Sequence, residues 1–204
     1  MSKPIGKSVD QPKEAPEDGA RRFATARSWE TWLGKHHETS DGLWLLISRP
    51  GAEKGSVSYP EALEVALCHG WIDGQKKGLD EHHWLQRFTP RRARSIWSKV
   101  NREKVAALTE QGRMQPAGQR EIDRAKADGR WEQAYDSMRT ITTPPDLQAA
   151  FDAQPVAAAF FKTLNSANRY AVLWRVQTAK QPETRERRIA TLVAMLARHE
   201  KLHP

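Results

Sequence analysis

The hydrophobic pattern of this chain changes period near Pro90, and that change limits the folds open to it. Upstream, Gly42 to Ser48 is a short, nearly unbroken apolar run between loop signals, the pattern of a buried strand. Trp71 to Asp73 and Trp84 to Phe88 flank a polar stretch from Gly74 to Gly78 and read as two antiparallel strands around a loop. Together these three runs predict a small antiparallel sheet of about three strands. Two helices accompany it. Ser28 is the expected N-cap of the first, with Trp29, Trp32 and Leu33 at helical spacing and an end near Gly34 or soon after. Ser58 with Glu61 forms a capping-box start for the second, which carries Leu63, Ala66 and Leu67 on one face and stops at Gly70.

Beyond Pro90 the spacing is helical throughout. Helices are predicted from Ser98 to Gln111, Pro116 to Asp128, Pro145 to Gln154, Pro155 to Leu164, Ser166 to Lys180 and Glu183 to about Lys201. The last carries Ile189, Leu192, Val193 and Leu196 on an i, i+3, i+4, i+7 stripe. The predicted class is therefore α+β: a small sheet packed with helices, followed by an all-helical C-terminal part. Residues 1–20 hold Pro4, Pro12 and Pro16 among charges with almost no large apolar side chain, and are expected to form a disordered tail. Residues 21–140 are expected to form the α+β part and 141–204 the helical part.

Composition narrows the function classes. The apolar runs fall far short of the roughly 20 residues that span a bilayer, and the first residues lack the apolar core of a secretory signal. The single cysteine, Cys68, excludes an internal disulfide framework and fits a reducing compartment, so a cytoplasmic location is expected. Lysine and arginine number 33 against 25 acids, a formal net charge of +8 that suits acidic partners as well as plain solubility. No phosphate-cradling glycine motif, Gly-x-Ser-x-Gly or His-Glu-x-x-His occurs. His36-His37, His82-His83 and the His199, His203 pair lack a third ligand at metal-site spacing, so neither a metal nor a cofactor is expected.

The chemistry-bearing residues concentrate between Ala66 and Asn101. Arg87, Arg91, Arg92, Arg94, Lys99, Arg102 and Lys104 are opposed by Glu103 alone. Their forks suit carboxylate or phosphate, and the helix beginning near Ser98 directs free N–H groups to the same side. Equally, they could pair with Asp73 or Asp80 and stack on Trp84 and Trp97. The tryptophans fit either an aromatic pocket or a core. Cys68 and His69 evoke a nucleophile and base, yet adjacent helical residues point roughly 100° apart. Cys68 reads better as a small buried hydrophobe, and Asp73 as an orienting partner for Arg91 or Arg92.

The segments Ala66-Leu-Cys-His-Gly-Trp-Ile-Asp-Gly74 and Thr89-Pro-Arg-Arg-Ala-Arg-Ser-Ile-Trp-Ser98, followed by Gly129-Arg-Trp131 and Glu183-Thr-Arg-Glu-Arg-Arg-Ile189, closely resemble the YdeI/OmpD-associated, or bacteriocin-protection, family. The resemblance runs from about Phe23 to Leu196, and its C-terminal helical part looks like the module that gives the family its name. His69 stands where relatives are expected to carry a bulky aromatic, so the resemblance assigns it no role. The resemblance implies a link to bacteriocin, cationic-peptide or stress tolerance, but no catalytic residue. Residues and resemblance together predict a non-enzymatic protein binding a small anionic ligand or an acidic protein surface. Its expected site is a pocket of Trp71, Asp73, Arg91, Arg92, Trp97 and Asn101. Nucleic-acid binding is a second reading, weakened by the acids interleaved with the basic runs. An enzyme using Asp73 or His69 as an acid–base group is a third. Direct capture of cationic peptides conflicts with the net positive charge.

Overall fold

The structure, a computed structural model, describes residues 19–52 and 55–204. The expected tail, apart from its last two residues, lies outside the described residues. Among the described residues the chain is α+β, with eight helices and one three-stranded antiparallel sheet. They form two compact units. The first contains the residues up to Arg91 together with Met114–Gly118, and the second contains Arg92–Arg113 and Gln119–Pro204.

In the first unit, α1 (Ala26–His36) begins one turn earlier than the sequence predicts. Thr25 is the N-cap, and Ser28 sits three residues into the cap. Each residue's side chain accepts the other's backbone N–H, at 3.2 and 3.3 Å. The helix ends at His36, soon after Gly34, as expected. Helix α2 (Tyr59–Cys68) starts as predicted, with Ser58 and Glu61 forming the reciprocal cap. Trp29 on α1 is fully buried and packs against Phe23, Trp32, Trp71 and Phe88 at 5.1–6.2 Å between ring centres. Its indole N–H donates to the Ala62 carbonyl at 3.1 Å, so one side chain ties α1 to α2 and to the sheet.

Strand order is β1 (Leu43–Ser48), β3 (His83–Pro90), β2 (Trp71–Gly78), with both pairings antiparallel. The polar run Gly74–Gly78, expected as a loop, is the second half of β2. The register shifts between Asp73 and Lys76, and the buried Gln86 side chain donates to the Gly74 and Gln75 carbonyls at 3.0 and 3.1 Å. A bulge frees those carbonyls from the ladder, and the amide of Gln86 satisfies them. Lys76 and Lys77 lie over the Trp84 and Trp44 rings at 4.2 and 4.7 Å and put charge on this edge strand, which discourages further strand pairing. The outer edge of β1 is closed by Arg21, whose backbone exchanges hydrogen bonds with Trp44 and Leu46.

The second unit is helical: α3 (Lys99–Glu110), α4 (Pro116–Ala127, all but its first turn), α5 (Pro145–Ala153), α6 (Pro155–Thr163), α7 (Ser166–Gln177) and α8 (Pro182–Ala197). Leu147, Phe151, Phe161, Val172, Val176, Ile189, Leu192 and Leu196 form its core, so the predicted stripe of α8 faces inward. The loop before α3 is held by the 130–136 segment. Tyr135 N–H donates to the Trp97 carbonyl at 3.0 Å, and Lys99 N–H to the Tyr135 carbonyl at 2.9 Å. No described helix is long and apolar enough to cross a membrane.

Candidate anion-binding site

The six residues expected to form one pocket are divided between the two units. Trp71, Asp73 and Arg91 belong to the first, and Arg92, Trp97 and Asn101 to the second. Trp71 is buried, and its indole N–H donates to the His37 carbonyl at 3.1 Å. Asp73 accepts the Tyr59 hydroxyl at 2.8 Å, while Asp80 accepts the backbone N–H groups of His82 and His83 at 2.7 Å each. Neither side chain pairs with an arginine among the described residues. Arg91 is buried, with its backbone N–H on the Gly70 carbonyl at 2.9 Å. Arg92 is exposed. Trp97 is buried against Trp131, with ring centres 5.1 Å apart, and Asn101 is buried in the first turn of α3.

His69 is buried, with its Nδ1 3.0 Å from the Val65 carbonyl, so this nitrogen carries the proton and donates. Burial pushes its pKa down. Cys68 is buried at the end of α2 among apolar neighbours, as a small hydrophobe would be.

A concave, positively charged surface lies on the helices of the second unit. A cavity of about 440 Å³ between α7 and α8 is lined by Trp174, Arg175 and Thr178 of one side and Arg187, Arg188, Thr191 and Leu192 of the other. No carboxylate lines it. The helical spacing explains the grouping: Trp174, Arg175 and Thr178 are i, i+1, i+4 along one face, as are Arg187, Arg188 and Thr191 along the other.

Neighbouring arginines have structural work. Arg185 grips Asp146 of α5 with two nitrogens, at 2.5 and 2.9 Å, and donates to the Val176 carbonyl at 2.8 Å. Hydrogen bonding from Arg185 holds the Asp146 carboxyl below the ordinary carboxylate range. Arg188 donates to the Arg175 carbonyl at 2.7 Å. Both thus donate to carbonyls of the last turn of α7, Arg185 to one that also accepts the Ala179 N–H at 3.2 Å, and complement its negative dipole end. By contrast, Arg175 and Arg187 are exposed, and neither guanidinium has a hydrogen bond or carboxylate partner among the described residues. Guanidiniums crowded in a groove without a counter-charge favour a bound anion, and Thr191 adds a hydroxyl donor, whereas the Thr178 hydroxyl already donates to the Trp174 carbonyl at 2.7 Å.

Sequence reasoning located arginine chemistry but placed it around α3. The run Glu183 to Ile189 entered as the start of the last predicted helix and as part of a resemblance, because its pattern alone does not show that its arginines meet the face of α7 that carries Arg175. Asp136 is the other hub of this unit. It pairs with Lys99 at 2.7 Å, and both ends of the Gln177 amide bond to it, Oε1 accepting its backbone N–H and Nε2 donating to its carboxylate. Partial burial pushes the Asp136 carboxyl up, but hydrogen bonds from Lys99 and Gln177 and the charge of Lys99 outweigh this and hold it low.

Residues 21–121 match the model of a domain of unknown function, DUF8412, so the segments between Ala66 and Ser98 fall in that match. Residues 140–199 match the model described as bacteriocin-protection, YdeI or OmpD-associated. No curated protein and no solved structure matches the chain significantly. The second match encloses α5 to α8 and the whole arginine-lined groove, so it is this C-terminal module that is similar to the bacteriocin-protection, YdeI or OmpD-associated family.

Proposed function

We propose that this chain is a non-enzymatic, cytoplasmic binding protein whose YdeI/OmpD-associated module holds a small anion in the α7–α8 groove. The carrying observation is the presence of three guanidiniums in one cavity with no carboxylate in its lining. The cavity volume of about 440 Å³ lies in the range of small-molecule sites. Phosphate is the best-matched group, since arginine forks and the Thr191 hydroxyl can donate to its oxygens in parallel. The bacteriocin-protection description of the family model matched by residues 140–199 supports a role in stress or antimicrobial-peptide tolerance. A protein of net charge +8 repels cationic peptides, so that role is exerted through the anionic ligand rather than by peptide capture.

The test is calorimetric titration with pyrophosphate, comparing the wild type with Arg175→Gln plus Arg187→Gln. Both side chains are exposed, so the fold is expected to survive the change. Each charge-assisted hydrogen bond contributes on the order of 1.5–3 kcal/mol, and binding should weaken at least roughly tenfold. Arg92→Ala with Arg94→Ala, on the loop before α3, should leave binding intact. Equal affinity in the wild type and the groove variant would refute the assignment.

A further inference from the structure

The second unit contains another cavity, of about 460 Å³, lined among others by Lys99, Arg130, Glu132, Gln133, Gln177 and Lys180. Its chemistry differs from that of the arginine groove, because its lining carries both signs of charge and two amides. Lys99 is already neutralised by Asp136 at 2.7 Å, and Gln177 is locked onto the same residue. Lys180, Glu132 and Gln133 are exposed, and none has a hydrogen bond among the described residues.

Arg130 is the informative member. Its side chain is 4% exposed. Nε donates to both Asp128 oxygens at 2.8 Å, and Nη1 to the Ser95 carbonyl at 2.6 Å. Nη2 is buried and has no hydrogen-bond partner. A guanidinium N–H shut away from water without an acceptor carries an uncompensated desolvation cost, so native proteins rarely retain one unless a water or ligand completes it. Hydrogen bonding from Arg130 holds the Asp128 carboxyl low, with the charge of Lys180 a smaller contributor.

We infer that this cavity is a separate site for a small zwitterion of the α-amino-acid class. The carboxylate of the ligand would accept from Arg130 Nη2 and from Lys180, while its ammonium group would face Glu132. Gln133 is left to hydrogen-bond a polar side chain of the ligand. Rotation of the flexible Lys180 and Gln133 side chains would open the way to Nη2. A lining with both signs of charge disfavours a bare anion, because its positive charge would be satisfied while Glu132 repelled it. It favours a neutral molecule with separated charges.

The experiment is a thermal-shift screen of the full chain with the common L-amino acids at millimolar concentration, with propionate and propylamine as single-charge controls and calorimetry on any responder. An amino acid should raise the melting temperature where both controls do not. Glu132→Gln and Lys180→Gln, both at exposed positions, should each weaken it roughly tenfold while leaving pyrophosphate binding in the arginine groove unchanged. Three results would overturn the inference: no amino acid binds, propionate binds as well as the amino acids, or neither substitution changes the affinity. In the first case Arg130 Nη2 is completed by water. Pyrophosphate binding serves as an independent readout, so failure here is distinguishable from failure of the groove assignment.

Discussion

Gly118 has no room for a side chain. A Cβ there would lie 2.3 Å from the Cys68 carbonyl oxygen and 2.6 Å from Met114 Sδ. The carbonyl is backbone at the end of α2 and cannot swing aside, and it also accepts the Gln115 N–H at 3.2 Å. Gly118→Ala is therefore expected to destabilise by about 1–3 kcal/mol in urea unfolding, as overpacking does. His69 gives a pH signature. Burial lowers its folded pKa, so the unfolded chain binds a proton more readily. Its contribution is present above the unfolded value of about 6.5 and is lost as pH falls through the lower folded value. His69→Asn, which keeps a donor for Val65, should flatten the decline in urea midpoint between neutral and mildly acidic pH. At this scale the sequence was informative about burial at Cys68. It could not show that Arg130 would be enclosed, since a guanidinium is sealed only by residues such as Ser95 that lie far along the chain.

Among the elements, the helices were largely legible because their signals are local. Ser58 with Glu61, Ser98, and the prolines at the starts of α4, α5 and α6 mark helix beginnings within a few residues of sequence. The misplaced start of α1 has a specific cause: Ser28 resembles a cap because Trp29 follows it, but it serves as the third member of a cap opened by Thr25. The second half of β2 was hidden because an exposed edge strand with a bulge shows no apolar alternation. Between helices, the Arg185–Asp146 pair can be measured with a double-mutant cycle of the two alanine variants. Its geometry is two-pronged, but the side chains are 28% and 44% exposed, so the coupling should be only about 1 kcal/mol. The Asp146 pKa is depressed by Arg185, so this coupling is present above the unfolded carboxyl value of about 3.9 and is lost as pH falls through the folded value.

For the molecule as a whole, a charge of +8 predicts weak, sequence-independent adhesion to DNA. Fluorescence anisotropy should show this adhesion disappearing between about 50 and 200 mM salt. Arg175→Gln with Arg187→Gln should reduce pyrophosphate binding far more than it reduces DNA adhesion at low salt, because the former needs a shaped groove and the latter only net charge. A DNA affinity that resists salt and collapses in this variant would instead favour the nucleic-acid reading. The chain's own residues determined the α+β class, the position of nearly every helix and the strand runs around Trp44, Trp71 and Trp84, because caps, turns and hydrophobic periods act over a few residues. Only the tertiary structure decided which arginines are structural and which line a cavity. Arg185 lies close to Arg187 in the chain, yet it bonds to Asp146 and the Val176 carbonyl outside the groove lining, while Arg187 lines the groove and Arg188 both lines it and bonds the Arg175 carbonyl. That distinction depends on where a second helix happens to lie. The charge and periodicity of one segment carry no record of it.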